Sequence, residues 1–418
     1  MNKLNNLFFK SKEELNFSSI SISSLLLTLF VDSLGIGMVY PVLIGLFYST
    51  DFVSLHSDTS TLYLISILFS LYPITMFFGS PILSFASERY GRKRILILSL
   101  VGNSVGILFF IIGILTRSII VIAIGRAISG FSAGNVPVAQ AAIGTLKVSD
   151  YVKSKYIALI SVFYGLGFTF GPLFIDITPL KYGMYSYVIP YTILLIFAFL
   201  NIIMLLFSQI ESINAARQKI DVKLIKDTII NPKYIRYIII FSIFIFCQFS
   251  VYQALPISLL KINNFSESGI ATYMSLYAGI FSITLIVILP LLAKRFTLIK
   301  LMKSSLLVLS LSCCVFFFFQ QETSIIWILN LAIPSSLGIF YVSCMTAITN
   351  TKTPIGISTG IASSITALIW AITPLTNAFL IDTFKANYPF FISIILFLLA
   401  YLVLVLFTRN LQIPEKTN

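Results

Sequence analysis

Apolar residues in this chain come in long runs, and each run ends in a short polar turn. About 20 mostly apolar residues are enough to cross a bilayer as a helix. Such runs lie near residues 18–47, 61–86, 95–115, 119–144, 156–179 and 184–208. A polar stretch from Gln209 to Lys233 follows, and then six more runs near 234–260, 268–293, 299–319, 324–349, 355–381 and 387–408. The pattern predicts an all-α integral membrane protein. Its twelve transmembrane helices form two pseudo-symmetric six-helix halves, residues 1–208 and 234–418. A cytoplasmic linker, 209–233, joins them and contains a short surface helix.

Composition agrees with this reading. Of the 418 residues, 58% are hydrophobic and 10% charged, and mean hydropathy is +0.98. A soluble domain carries roughly 25% charged residues, so this chain could not stay dispersed in water. The first apolar run is too long for the core of a signal peptide and reads as a permanent span. The net charge of +13 raises the question of nucleic acid. Its placement answers that question, because the basic residues sit in turns between apolar runs rather than along one groove.

Charge placement also tests the span count. Lys and Arg are retained on the cytoplasmic side of a membrane protein. With the N-terminus inside, 23 basic residues fall in cytoplasmic segments, and only Arg117, Lys181, Lys261 and Lys385 fall in external ones. A single miscounted span would swap the sides of every later loop and destroy the asymmetry. Both termini are therefore expected in the cytoplasm. The densest basic segment holds Glu88, Arg89, Arg92, Lys93 and Arg94 between spans two and three, around a turn at Gly91. It is either a topology anchor or a hinge whose charges grip a neighbouring helix in one transport state and release it in another.

The two halves echo each other. Pro81 and the basic turn after span two correspond to Pro290 and the Lys294–Arg295 turn after span eight. Gly165, Gly167, Gly171 and Pro172 of span five correspond to Gly356, Gly360 and Pro374 of span eleven. Internal repeats with a site between the halves are a common transporter design.

Charges inside spans are few. Of fifteen carboxylates only Asp32 lies near the middle of a span, about fourteen residues or roughly 20 Å from its start. Arg126 is the one basic residue deep inside a span. An intramembrane charge is costly and marks either an ion pathway or a fixed ion pair. Burial favours the neutral acid and a nearby arginine favours the carboxylate, and these opposed influences suit a group that binds and releases protons. Gly130 and Gly134, one turn apart, give span four a small face for close helix approach. Asp176 lies near the external end of span five, where it either faces water or sits at the outer mouth of the pathway, and Asp382, near that of span eleven, reads as a surface residue. Cys247, Cys313, Cys314 and Cys344 have no metal-ligand spacing, and His56 stands alone in a polar loop. No cofactor, metal or enzymatic nucleophile–base arrangement is expected.

Twelve spans with a basic loop after the second resemble the major facilitator superfamily. The family loop runs Gly-x-Leu-x-Asp-Arg-x-Gly-Arg-Lys/Arg. Here Ser84 replaces the first glycine and Glu88 the aspartate, while Arg89, Gly91, Arg92 and Lys93 match. The resemblance implies that this loop stabilises the outward-facing form and gates the rearrangement. An arginine followed by spaced glycines, as at Arg126, Gly130 and Gly134, is linked in the family to proton transfer. Gly167, Gly171 and Pro172 resemble the motif of proton-coupled antiporters. The segment from Asp32 to Pro41, with Gly35, Ile36 and Gly37, looks like the first span of tetracycline and multidrug exporters.

For the cargo, Gln248, Tyr252 and Gln253 of span seven lead the polar and aromatic residues within spans, with Asn135 of span four; 248 and 252 share a helix face. Asn103, Tyr164 and Trp370 also belong to this group. An aromatic stripe is more often packing than binding. The expected protein is a monomeric secondary transporter of the bacterial cytoplasmic (inner) membrane. It exchanges an amphipathic small-molecule cargo for protons through Asp32 and Arg126, with no nucleic-acid partner. Export of an endogenous metabolite such as a siderophore, proton-driven import, and a non-transporting membrane receptor are the competing readings.

Overall fold

The computed structural model describes residues 19–48, 52, 58–144, 150–176, 185–208, 210, 222–351 and 355–409. His56, most of the 209–233 linker, and the side chains of Glu88 and Asp176 lie outside the described residues.

The described regular structure is helical. The first six spans are α1 (Ser19–Tyr48), α2 (Asp58–Tyr90), α3 (Arg92–Leu115), the pair α4 (Ile119–Phe131) and α5 (Asn135–Gly144), α6 (Asp150–Asp176) and α7 (Val188–Phe207). A short helix α8 (Val222–Ile230) follows, within the stretch read as a linker. The last six spans are α9 (Pro232–Lys261), α10 (Glu267–Ile283), which continues through a π-helical turn into α11 (Leu289–Ala293), then α12 (Leu298–Phe319), α13 (Thr323–Thr349), α14 (Ile355–Thr383) and α15 (Tyr388–Arg409). Among the described residues, ten helices are long and apolar enough to cross a membrane, and two shorter apolar helices, Ile119–Phe131 and Val162–Phe174, fall in the fourth and fifth spans. The twelve-run pattern is thus the fold.

Fourth-span hydropathy is continuous, yet the helix breaks at Ser132–Gly134. Pro137 explains the position. It has no N–H to offer the carbonyl four residues earlier, so the helix restarts with proline in its first turn. A similar cause serves the π-helical turn Thr284–Ile288, which precedes Pro290.

Polar side chains inside the spans bond back to their own helices. Thr28 Oγ1 donates to the Ser24 carbonyl at 2.7 Å and Ser33 Oγ to that of Leu29 at 2.8 Å. In hydrocarbon such groups have no water to turn to, so this pairing is what lets them lie there.

Two compact units emerge from the packing. The first holds the chain up to Val42 and from Ile74 to Gln218; the second holds Leu43–Pro73 and the chain from Lys219. In the first, α3 and α4 cross on small residues. A Cβ on Gly125 would lie 2.7 Å from the Gly106 carbonyl oxygen and 2.8 Å from the Phe110 nitrogen, so the crossing requires glycine. The second has an aromatic core, with Phe316 and Phe390 stacked at 4.0 Å and Phe244 against Phe340 at 4.2 Å.

Candidate functional site

The acidic residue of α1 is buried within the first unit. Asp32 is 5% exposed, and its Oδ1 accepts a hydrogen bond from Asn103 Nδ2 of α3 at 3.1 Å. A donor aimed at a carboxylate stabilises its charged form, and hydrogen bonds to charged groups are worth about 1.5–3 kcal/mol. Asn135, the first residue of α5, stands beside the same carboxylate. Its own amide nitrogen and oxygen are buried and make no hydrogen bond of good geometry. The break in the fourth span therefore sets a helix N-terminus, the positive end of its dipole, next to the acid.

The glycines of α6 pack on the same part of α1. A Cβ on Gly167 would come within 2.5 Å of the Phe30 carbonyl oxygen and 2.8 Å of the Leu34 nitrogen. One on Gly171 would lie 2.9 Å from Gly37 Cα and from the Leu34 carbonyl oxygen. These contacts bracket Asp32 in sequence, so the spacing that keeps α6 close to α1 also fixes the acid's backbone. Pro172 follows within α6 and is buried.

Arg126 is buried on α4, 6% exposed. Tyr191 of α7 is also buried, and its ring packs on Phe110 of α3 at 4.4 Å. The structure thus groups Asp32 with Asn103 and Asn135, and buries Arg126 and Tyr191 in the same unit. Sequence reading named Asn103 only as one polar residue among many and did not name Tyr191. The available signal was a primary amide inside an apolar span, which is costly unless something pairs with it.

In the basic turn Gly91 has φ 95°, in the region that favours glycine, and its nitrogen donates to the Ser87 carbonyl at 3.1 Å. Arg92 is buried, whereas Arg89 is exposed with its guanidinium 5.3 Å from the Tyr90 ring centre. Lys93 Nζ donates to the carbonyls of Leu206 and Ser208, each at 2.7 Å. It caps the C-terminus of α7, where unpaired carbonyls and the helix dipole both favour a cation.

In the second unit the three residues of α9 fall in different surroundings. Gln253 is 3% exposed, and both atoms of its amide lack a hydrogen-bond partner. Gln248 Oε1 is likewise buried and unpartnered, and Tyr252 packs on Tyr277 at 5.7 Å.

Long apolar helices in two compact units, with a carboxylate and an arginine buried at span depth, define the architecture of a membrane transporter. The major facilitator superfamily model matches residues 25–354, and the chain belongs to that superfamily. A tetracycline resistance protein of class C from Escherichia coli is 31% identical over 146 residues, 35% of each chain. The class H protein of Pasteurella multocida is 30% identical over 153 residues, 37% of this chain and 36% of its own. The matched stretch thus spans about a third of these relatives. Among solved structures, the human organic anion transporter MFSD10 covers 94% of this chain and all of its own at a TM-score of 0.66 and 18% identity. The xylose transporter XylE of E. coli covers 93% of this chain and 98% of its own at a TM-score of 0.70 and 15% identity. These likenesses establish the fold. The chain is an integral membrane protein of a transporter family, not an enzyme.

Proposed function

We propose that this chain is a proton-coupled antiporter that exports an amphipathic, tetracycline-like small molecule across a bacterial cytoplasmic membrane, working as a monomer with both termini in the cytoplasm. The observation that carries this reading is Asp32. It is a buried carboxylate halfway along α1, bonded by the Asn103 amide, with Asn135 beside it, and set against the small-residue crossing with α6. A carboxylate in that setting can exist with or without its proton, because burial opposes the charge and Asn103 and the α5 N-terminus support it. The tetracycline resistance relatives make export of such cargo the first reading.

In the proposed cycle, cargo enters from the cytoplasm while Asp32 is charged. A proton from outside neutralises the acid, which weakens its hold on cargo or on Arg126 and favours outward release. Loss of that proton to the cytoplasm restores the first state. Asn135, Gln248, Tyr252 and Gln253 are the residues proposed to contact cargo. The turn at Glu88, Arg89, Gly91, Arg92 and Lys93 controls the rearrangement.

The test is tetracycline uptake into inside-out vesicles energised by an imposed proton gradient. Wild type is expected to accumulate the drug in proportion to the gradient and Asp32→Asn to lose that dependence. Gradient-driven accumulation that is undiminished in Asp32→Asn would sink the assignment.

A further inference from the structure

The second unit contains a buried amide with nothing to bond to. Leaving a buried polar group unpaired costs about 1–3 kcal/mol, and such groups are uncommon enough in native structures to call for an explanation. Gln253 has two of them, Nε2 and Oε1. Its neighbourhood is not careless about polar groups. One turn away, Ser250 Oγ donates to Asn377 Oδ1 at 2.6 Å, and Asn377 Nδ2 donates to the Ser250 carbonyl at 2.9 Å. These two bonds pin α9 to α14 and leave Gln253 out.

The same pinned face carries an aromatic shelf. Phe249, four residues before Gln253 and so on its side of the helix, lies parallel to Trp370 of α14, with centroids 5.4 Å apart and planes within 5°. Tyr72 flanks Trp370 at 5.8 Å. Phe249 keeps part of its ring exposed. Phe249 and Trp370 both sit near the middle of their helices. Among the described residues of α9 and α14, charged side chains occur only near the ends, at Lys233, Arg236, Lys261 and Asp382.

We propose that α9 and α14 form a recognition site for a flat aromatic ring system whose edge bears an uncharged donor and acceptor. The exposed part of the Phe249 ring, backed by Trp370, receives the ring face, and the Gln253 amide, offering one donor side and one acceptor side, receives the edge. The absence of charge at this depth among the described residues of α9 and α14 means that the feature these two helices select is the flat polar edge and not an ionic group. This specifies the cargo of the export reading and rests on it.

The chain has two tryptophans. Trp327 packs on Tyr273 and Phe265, and Trp327→Phe keeps a ring there while leaving Trp370 as the sole indole. In this background the purified full chain is titrated with tetracycline and with a hydroxyflavone, with cholate as an amphipathic probe lacking an aromatic ring. Saturable quenching of Trp370 by the flat probes, and none by cholate, is expected. Gln253→Met preserves the length of the side chain and removes its polar atoms. It should raise the Kd of the flat probes about tenfold, the equivalent of one lost hydrogen bond. The melting temperature without ligand should stay level or rise, because the unpaired amide is gone. A Gln253→Met protein that melts lower and binds unchanged would make Gln253 a structural residue and overturn the proposal, as would no saturable quenching by either flat probe. Binding is read without a proton gradient, so the two readings can fail separately. Quenching sensitive to Gln253 with no proton-linked flux would remove the antiport reading alone. Flux with quenching indifferent to Gln253 would remove this one alone.

Discussion

Asn103 Nδ2 donates to Asp32 Oδ1 at 3.1 Å, linking α3 to α1 through a carboxylate buried at mid-span. The contact gives Asn103 a positioning role. Asn103→Leu removes the donor and is expected to lower proton-coupled turnover at least about tenfold, the scale of one hydrogen bond to a charged group. Asn103→Gln, which can still reach the carboxylate, should recover part of the loss. Vesicle transport assays on both variants check this, and equal loss in both would make the site a packing position.

The α1–α6 crossing makes a sharper contrast. A Cβ on Gly167 would meet the backbone of Phe30 and Leu34, neither of which can move aside without moving α1, whereas a Cβ on Gly360 would meet nothing within 4 Å. Gly167→Ala should therefore cost stability and abolish turnover. Gly360→Ala should leave transport intact and stabilise α14 by about 0.5–1 kcal/mol, the usual difference between alanine and glycine inside a helix. Thermal melts and transport measured side by side decide between them.

Lys93 is expected to reveal itself in stability first. Lys93→Met withdraws a cation from two carbonyls at the end of α7 and should cost about 1 kcal/mol. Lys93→Arg should restore most of it. A fall in turnover with no change in melting temperature would instead favour a gating role for the lysine.

Gly91→Ala forces a side chain into a backbone conformation with φ 95°. The strain is about 1–3 kcal/mol, and it falls on the turn proposed to control the rearrangement. Turnover should drop more than drug affinity; equal loss of both would count against the gating role.

Much of this was legible in the sequence. The apolar runs and their basic turns determined the helices, because a bilayer imposes a length and the cytoplasm a sign of charge. Asp32 and Arg126 were visible as costly exceptions inside spans. The partners of each were not, since residues 71 positions apart, such as Asp32 and Asn103, meet only through the packing of α1 on α3. The break at Ser132–Gly134 was hidden by uninterrupted hydropathy, with Pro137 as its only mark. Lys93 read equally well as an anchor or a hinge, and its capping of α7 depends on where Leu206 and Ser208 fold back. Gly167 and Gly171 were visible as a motif of span five, but nothing in the sequence named α1 as the helix they meet.

The central claim is that cargo and protons move in opposite directions through Asp32. The direct measurement is the internal pH of proteoliposomes holding the purified protein when cargo is added, for wild type and Asp32→Asn, across tetracyclines, cationic drugs and iron chelators. The account predicts a proton signal with one chemical class of cargo in wild type and none in Asp32→Asn. A signal of the same size in the Asp32→Asn protein would contradict it and place the proton site elsewhere in the molecule.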